Sequence, residues 1–552
     1  MRRRRFLKWL AASGGIPFGA TAIRAEPEGY SIPGQFANPD PAIAHMMRDG
    51  GGPKSFPDSQ ETLFDVAIVG GGISGLCAAW KLRRSGVERI VVLEAAGELG
   101  GTSTSGQRQG KPFPWGAHYI NIPPQEADCV HEVLGDIGII EGYDERGWPR
   151  IAADALLRWP HERLHIDGVW QEGLEPLHGA NAYEREQMLR FRDEMLRWAM
   201  YRGVDGRRAF TLPLSYSSID PRARALDQVS MGSYLREQGF DSPRLRWYVD
   251  YACRDDYGSL SNQISAWAGI HYFACRHYDY RLHDEYPAHT LTWPQGNNRL
   301  AQGLSKKLES DQIRRGQLAL RIEAHGAEHQ IGLYDTGNAE FKSLRAKAVI
   351  YAGKLHTAPY VVQGLPSEQV QTLRSLEYSP WLVAAIHLKN GHEIEGAAWD
   401  NVLYDSPSLG YVVADHQGGG GERTGKTLIY YLPFVEGLAT ARKNLLEREH
   451  HYWVDYIIGD LSRTEKILAQ SVERIDIYRW GHGMLRPSPG LLWGAAAAWR
   501  GKSRGGVFFA SCDRPGLPLF EEALYAGILA AEESMRYLNH SFSTSLNGLR
   551  DG

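Results

Sequence analysis

Gly70, Gly72 and Gly75 stand at the spacing G-x-G-x-x-G, and Glu94 follows Gly75 by nineteen residues. Glycines so spaced serve three ends: a tight turn, close backbone approach to a pyrophosphate, and tight helix–strand packing. A carboxylate at the distance of Glu94 can accept hydrogen bonds from a ribose. Ile73 and Ser74 open the segment after the turn, where unpaired N–H groups and the positive end of a helix dipole face the anion. The elements that must position these residues are legible around them. Asp65 to Val69 is a short apolar run that reads as a buried strand, Ile73 to Ser85 as a helix, and Arg89 to Leu93 as a second, parallel strand ending in Glu94. A glycine-rich turn with no ligand is the plain alternative. Strand, glycines, helix, strand and acid all falling in register favours dinucleotide binding.

The next residues narrow the dinucleotide. Glu94-Ala95, Gly100-Gly101-Thr102 and Gly116-Ala117-His118 follow one another, and in this order the chain resembles the flavin-dependent amine oxidase superfamily, which includes phytoene-desaturase-like enzymes. The resemblance implies FAD and an α/β architecture: a Rossmann-like (GR2-type) FAD-binding domain with a discontinuous α+β substrate-binding domain. It also implies a closing strand–Asp–helix motif, which Gly506 to Ala530 resembles. There Asp513 is expected to bond the ribityl chain, and Leu519 precedes a helix, Phe520 to Ala530, aimed at the flavin N1–C2=O edge. His118 is expected beside the flavin, in contact with cofactor or substrate. His482, in the crossover Arg479 to Pro487, reads either as a base or substrate partner or as a structural histidine in a glycine turn. Arg479 and Arg486 read as salt-link formers.

The chain departs from the resembled pattern in places. Many amine oxidases close with Tyr-x-Glu-Gly-Ala; here Leu519 takes the tyrosine position and Glu522 the glycine position. The strand Ser379 to Ala385 lacks the lysine that assists reaction with oxygen in those enzymes. Poor use of oxygen and transfer to a quinone-like, artificial or protein acceptor are therefore expected, unless Phe520 or Tyr525 rebuilds the wall and Lys354 replaces the lysine. In the segment Trp293 to Leu300, resembling P-x-G-G-x-x-x-L, Asn297 stands for the second glycine.

Around this frame, residues 1–25 read as a targeting segment. Arg3-Arg4-Arg5-Phe6-Leu7-Lys8 fits the twin-arginine pattern, with cleavage near residues 22–25, so the twin-arginine translocase is an expected partner and the periplasm the expected compartment. Its apolar stretch is too short for a membrane anchor. Loss of its six basic and no acidic residues takes the formal net charge from −4 to about −10, which argues against a nucleic-acid partner. Five cysteines without C-x-x-C exclude thioredoxin-like, haem-attachment and zinc-knuckle readings. Cys253 and Cys275 could pair in an oxidising compartment, although two core thiols read better. The histidines, His271, His277 and His283 among them, show no metal-ligand spacing, so no metal is expected.

The expected layout is an extended arm at 26–62, an FAD-binding domain from 63–125, 291–360 and 486–540, and a substrate-binding domain from 126–290 and 361–485. Residues 128–286 read as mostly helical, with a small hairpin near Arg158 to Trp170. Further strands are expected at Leu318 to Ala324, Gln330 to Tyr334, Ala346 to Tyr351, Trp381 to Leu388 and Thr427 to Leu432, and a helix at Leu438 to Ile458. The leading functional expectation is hydride transfer to flavin N5 from a C–H bond of a small-molecule amine or polyamine. A desaturase or isomerase acting on a hydrophobic, polyisoprenoid-like substrate is the second, and a FAD-binding protein without turnover the third.

Overall fold

The computed structural model describes residues 29–59, 61–275, 290–394, 396–417, 426–464 and 468–546. The targeting segment 1–25, His277, His283 and the glycine run 418–421 lie outside the described residues.

The chain enters along the second of its two large sheets. Ile475 N donates to Pro33 O, Ile477 N to Gln35 O, and Ala37 N to Ile477 O, so the arm runs as an added parallel strand. The arm is not extended throughout, as the sequence reading expected. Asp40 caps a helix, α1 (Pro41–Asp49), by accepting from Ala42 N, Pro41 sits in the first turn, and Gly50 closes it in the left-handed region.

β1 (Phe64–Val69), α2 (Ile73–Arg84) and β2 (Ile90–Leu93) follow as the sequence spacing predicts. β1 lies parallel between β2 and a later strand, inside a seven-stranded sheet. Its core residues Val66, Ala67 and Ile68 are fully buried, which is why the strand is apolar without alternation. β3 (Tyr119–Asn121) pairs with Thr290–Thr292 outside this sheet, and between the two the chain makes a largely helical stretch that includes Ala182–Met200, α3 (Pro243–Tyr257) and Ala266–Ala274. Interrupting it, Glu162–Ile166 and Val169–Glu172 form the expected hairpin, which joins the edge of the second sheet.

Gln317–His325 and Glu328–Asp335 lead antiparallel into β4 (Glu340–Tyr351), which returns beside β1 with Ala348 opposite Val66. β5 (Tyr378–Leu388) is buried along its whole length and is flanked by later strands on both sides. β6 (Asp400–Leu403), β7 (Thr427–Pro433) and β8 (Val472–Leu485) complete the second seven-stranded sheet with Tyr411–Val413 and the hairpin. The single helix expected from Leu438 to Ile458 is two, Leu438–Glu447 and His450–Leu461. Arg448 and Glu449 are both extended between them, Glu449 in the N-cap position of the second.

β9 (Val507–Phe509) rejoins the first sheet parallel to β4, and α4 (Phe520–Tyr537) then covers α2. A side chain at Gly527 would put its Cβ 2.2 Å from Ser74 O, so this helix contact requires glycine. All five cysteines are free thiols, so Cys253 and Cys275 form no bridge. Among the described residues no helix is long and apolar enough to cross a membrane.

Candidate active site

One cavity of about 910 Å³ takes residues from both sheets, from α1 and from the first turn of α4. Its dinucleotide side is built by Gly70, Gly72, Ile73, Ser74, Glu94, Ala95, Gly100, Gly101 and Thr102, with Gly116, Ala117 and His118 further along. Gly75 alone of the three spaced glycines does not line it. A Cβ there would lie 1.9 Å from Gly70 O, so Gly75 serves packing and the other two serve the cradle. At Gly72 a Cβ would meet nothing closer than Gly101 Cα at 3.8 Å and would stand in the cradle itself. Gly72 caps α2 without a side-chain bond, leaving first-turn N–H groups for an anion. This arrangement fits a dinucleotide pyrophosphate.

Glu94 ties the cradle together. Its Oε2 accepts from Gly71 N at 2.8 Å and its Oε1 from Ala96 N at 2.8 Å. Burial pushes its carboxyl up, against the pull of these main-chain donors. Each oxygen keeps a lone pair for a ribose hydroxyl.

Asp513 sits differently from the sequence expectation. It is fully buried and is not part of the cavity wall. Its Oδ2 accepts from Leu355 N at 2.9 Å and from the Tyr378 hydroxyl at 2.7 Å. The carboxylate therefore braces the wall from behind, and the neighbouring Ser511 and Cys512 reach the cavity. Leu519 does line it, as the N-cap residue of α4 and without a side-chain capping bond. Phe520 joins the lining whereas Tyr525 does not, packing instead against the Tyr216 ring.

His118 is enclosed by aromatic rings. It stacks on Tyr431 at 4.7 Å and 28°, with Trp399 at 5.5 Å and Tyr119 at 5.2 Å. Burial lowers its pKa and keeps the ring neutral. His482 lies within β8 rather than in a turn, stacked on His356 at 4.4 Å and 25°. Burial and the charges of its neighbours, among them Lys354 and Arg442, push its pKa down to about 2. The ring is thus held in its neutral form, its orientation fixed by the stack on His356. Arg479 and Arg486 make no salt link among the described residues. Arg479 donates to Leu446 O at 2.9 Å, and Arg486 to Ser379 Oγ at 2.8 Å and to Val435 O.

The sequence reading missed a carboxylate cluster that lines the same cavity. Asp255 and Asp256 come from α3, Asp400 from β6 and Glu521 from α4, and all four line the cavity. The Tyr119 hydroxyl lies 2.9 Å from Asp255 Oδ2 and 3.1 Å from Asp256 Oδ1, with one hydrogen for the two. Tyr251 donates to Asp400 Oδ2 at 3.1 Å. Burial, with Asp255 and Glu162 nearby, holds Asp400 well above the usual carboxylate range. Burial and Asp256 push Glu521 up to about 7. Carboxyls brought together in a shielded space raise one another's affinity for protons and for positive charge. Their positions, near residues 119, 255, 400 and 521, have no spacing a motif could reveal. Lys354 also lines the cavity and donates to Gly483 O at 2.9 Å, and Asn297 ties β3 by donating to Tyr119 O at 2.9 Å. Among the described residues no group of His, Cys, Asp or Glu could hold a metal.

A family model for NAD(P)-binding Rossmann-like domains matches residues 68–137. AofH of Mycobacterium tuberculosis, a flavin-containing monoamine oxidase by name, is 27% identical over 290 residues, 50% of this chain and 55% of that protein. The chain thus spans about half the length of the relative it matches. Among solved structures, wild-type putrescine oxidase bound to putrescine superposes with a TM-score of 0.63 at 17% identity, over 86% of this chain and 99% of that one. A fatty acid isomerase from P. acnes does so with a TM-score of 0.59 at 15% identity, over 86% and 99%. These likenesses establish the fold: a Rossmann-like dinucleotide-binding domain joined to a separate substrate-binding domain.

Proposed function

We propose that this protein is a FAD-dependent oxidoreductase that oxidises the C–H bond next to the nitrogen of an amine or polyamine. The observation that carries this reading is the carboxylate cluster Asp255, Asp256, Asp400 and Glu521 lining the same cavity as the dinucleotide cradle. FAD, when bound, supplies the electron sink, accepting a hydride at N5. The cradle glycines and Glu94 would hold its diphosphate and ribose, and the N-terminus of α4 would face developing negative charge on the ring. The carboxylates orient an ammonium group, and the rings of His118 and Tyr431, with Trp399 packed against His118, wall off water beside it. His118, kept neutral, contributes shape rather than charge.

The fatty acid isomerase shares the fold, but the acidic patch of Asp255, Asp256, Asp400 and Glu521 suits an ammonium group better than a carboxylate at that part of the cavity. Hydrophobic desaturation or isomerisation is therefore the weaker reading, and so is a binder without turnover. For the electron acceptor, β5 carries no lysine and, among the described residues, the one cavity lysine, Lys354, is engaged with Gly483 O, which supports a quinone-like or artificial acceptor over oxygen. The strands of the first sheet fall within 63–125, 291–360 and 486–540, which supports that division of the chain into a cofactor unit and a substrate unit. We also read residues 1–25 as a twin-arginine signal and the periplasm as the destination, on the Arg3 to Lys8 pattern.

Steady-state kinetics on Asp400→Asn tests the substrate reading. KM for an amine should rise by about tenfold, as expected for one lost charge-assisted contact, while kcat changes less. Unchanged KM for every amine oxidised would remove the cluster from substrate binding.

A further inference from the structure

Behind the His356–His482 pair lies a second cavity of about 740 Å³. His356, His482, Tyr360 and Arg442 belong to the walls of both cavities, so this pair of stacked rings forms part of the partition between them. The second cavity is basic. Arg374, Arg442 and Arg486 line it, and its one lining carboxylate, Glu377, is exposed. Among the described residues no carboxylate lies within 4.0 Å of any of the three guanidinium groups. Arg442 donates to Gly481 O at 2.7 Å and Tyr378 O at 3.1 Å. Arg486, only 7% exposed, uses Ser379 Oγ and Val435 O. Arg374 lies over the Tyr360 ring, 5.5 Å from its centre, at the exposed rim.

Neutral oxygens satisfy the hydrogen bonds, and the exposed Glu377 acts on Arg486 only from beyond ion-pairing distance, whereas a buried guanidinium group is ordinarily paired at close range. Lys354 adds a further cation on the cofactor side of the same partition. Asp513, a buried acid that acts on His356, is turned to Tyr378 and Leu355. Both histidines are held neutral there by burial and by the surrounding cations.

We propose that this second cavity binds the anionic group of a small molecule, a carboxylate or a phosphate, against the far side of the His356–His482 partition. The guanidinium groups offer paired N–H donors suited to either anion, and the site stands apart from both the dinucleotide cradle and the carboxylate cluster. It does not depend on the amine reading, since the two ligands would carry opposite charge.

Isothermal titration of the FAD-loaded protein with inorganic phosphate, and separately with succinate, at constant ionic strength tests it. Saturable binding of at least one is expected, and which one binds identifies the class. Arg442→Gln should weaken that binding by about tenfold or more, and Arg442→Lys by less. Arg374→Gln, at the rim and outside the core, provides the same test, with a loss of about threefold, should Arg442→Gln fail to fold. Absence of saturable heat with both anions, or unchanged affinity in folded Arg442→Gln or Arg374→Gln protein, would overturn the proposal.

Discussion

The Glu94 carboxylate accepts a hydrogen bond from Gly71 N at 2.8 Å, across the glycine turn that the dinucleotide must approach. One side chain thereby shapes the cradle and keeps lone pairs for the ribose. Glu94→Ala should weaken FAD binding by about 1.5–3 kcal/mol, the range for hydrogen bonds to a charged group. Full flavin occupancy and an unchanged melting temperature after dialysis would mean that Glu94 is not the ribose ligand.

The arm offers a second test. Three main-chain hydrogen bonds hold residues 33–37 to β8, and α1 then contributes Ile43, Ala44, His45 and Met47 to the cavity wall. Each such bond contributes about 0.5–1.5 kcal/mol. A chain lacking residues 29–49 should melt lower and release flavin faster, measured by the rise of free-flavin fluorescence. Release at the full-length rate would show that the arm does not retain the cofactor.

Glu522 sets a pH dependence of stability. It is fully buried, its Oε1 bonded by Leu214 N at 2.5 Å and its Oε2 without a hydrogen-bond partner among the described residues, and burial with Glu521 nearby pushes it from 4.5 to about 8. The folded state thus binds this proton more tightly than the unfolded state does. Its contribution to stability is complete below about pH 4.5 and is lost as pH rises through about 8. Glu522→Gln keeps an acceptor for Leu214 and removes the ionisation. The variant should match wild type near pH 5 and exceed it by on the order of 1–3 kcal/mol near pH 9. Parallel denaturation curves across that range would contradict this.

Reoxidation tests the electron acceptor. Reduced protein should recolour slowly in air and faster with a quinone analogue, and Lys354→Met should leave the rate in air unchanged. Stopped-flow traces showing fast recolouring in air, slowed by Lys354→Met, would give Lys354 the role of the missing lysine.

The sequence made the cofactor half legible because its signals are local. Glycine spacing, a flanking strand and a helix start all fall between Phe64 and Glu94, and the structure places β1, α2 and β2 there. Local signals were also present where the reading fell short. Asp40-Pro41 marks the start of α1, inside an arm read as extended. Arg448 and Glu449, within the polar run Glu447 to His451, break the stretch that reads as one helix. The substrate half is long-range by construction. Tyr119 meets Asp255 and Asp256 only after a largely helical excursion, and Asp400 and Glu521 arrive from a different sheet and from the closing helix. Asp513 lies in the expected segment, but its direction depends on Tyr378 and Leu355 packing against it. No spacing encodes that.

The central claim is oxidation of an amine at the cavity shared by the glycine cradle and the carboxylate cluster. Anaerobic mixing of the purified, FAD-loaded protein with monoamines, polyamines and fatty acids, followed by the flavin's visible absorbance, tests it most directly. Bleaching by an amine or polyamine, and none by fatty acids, is the predicted result. Bleaching by hydrophobic acids alone, or by none of the three classes, would contradict the account.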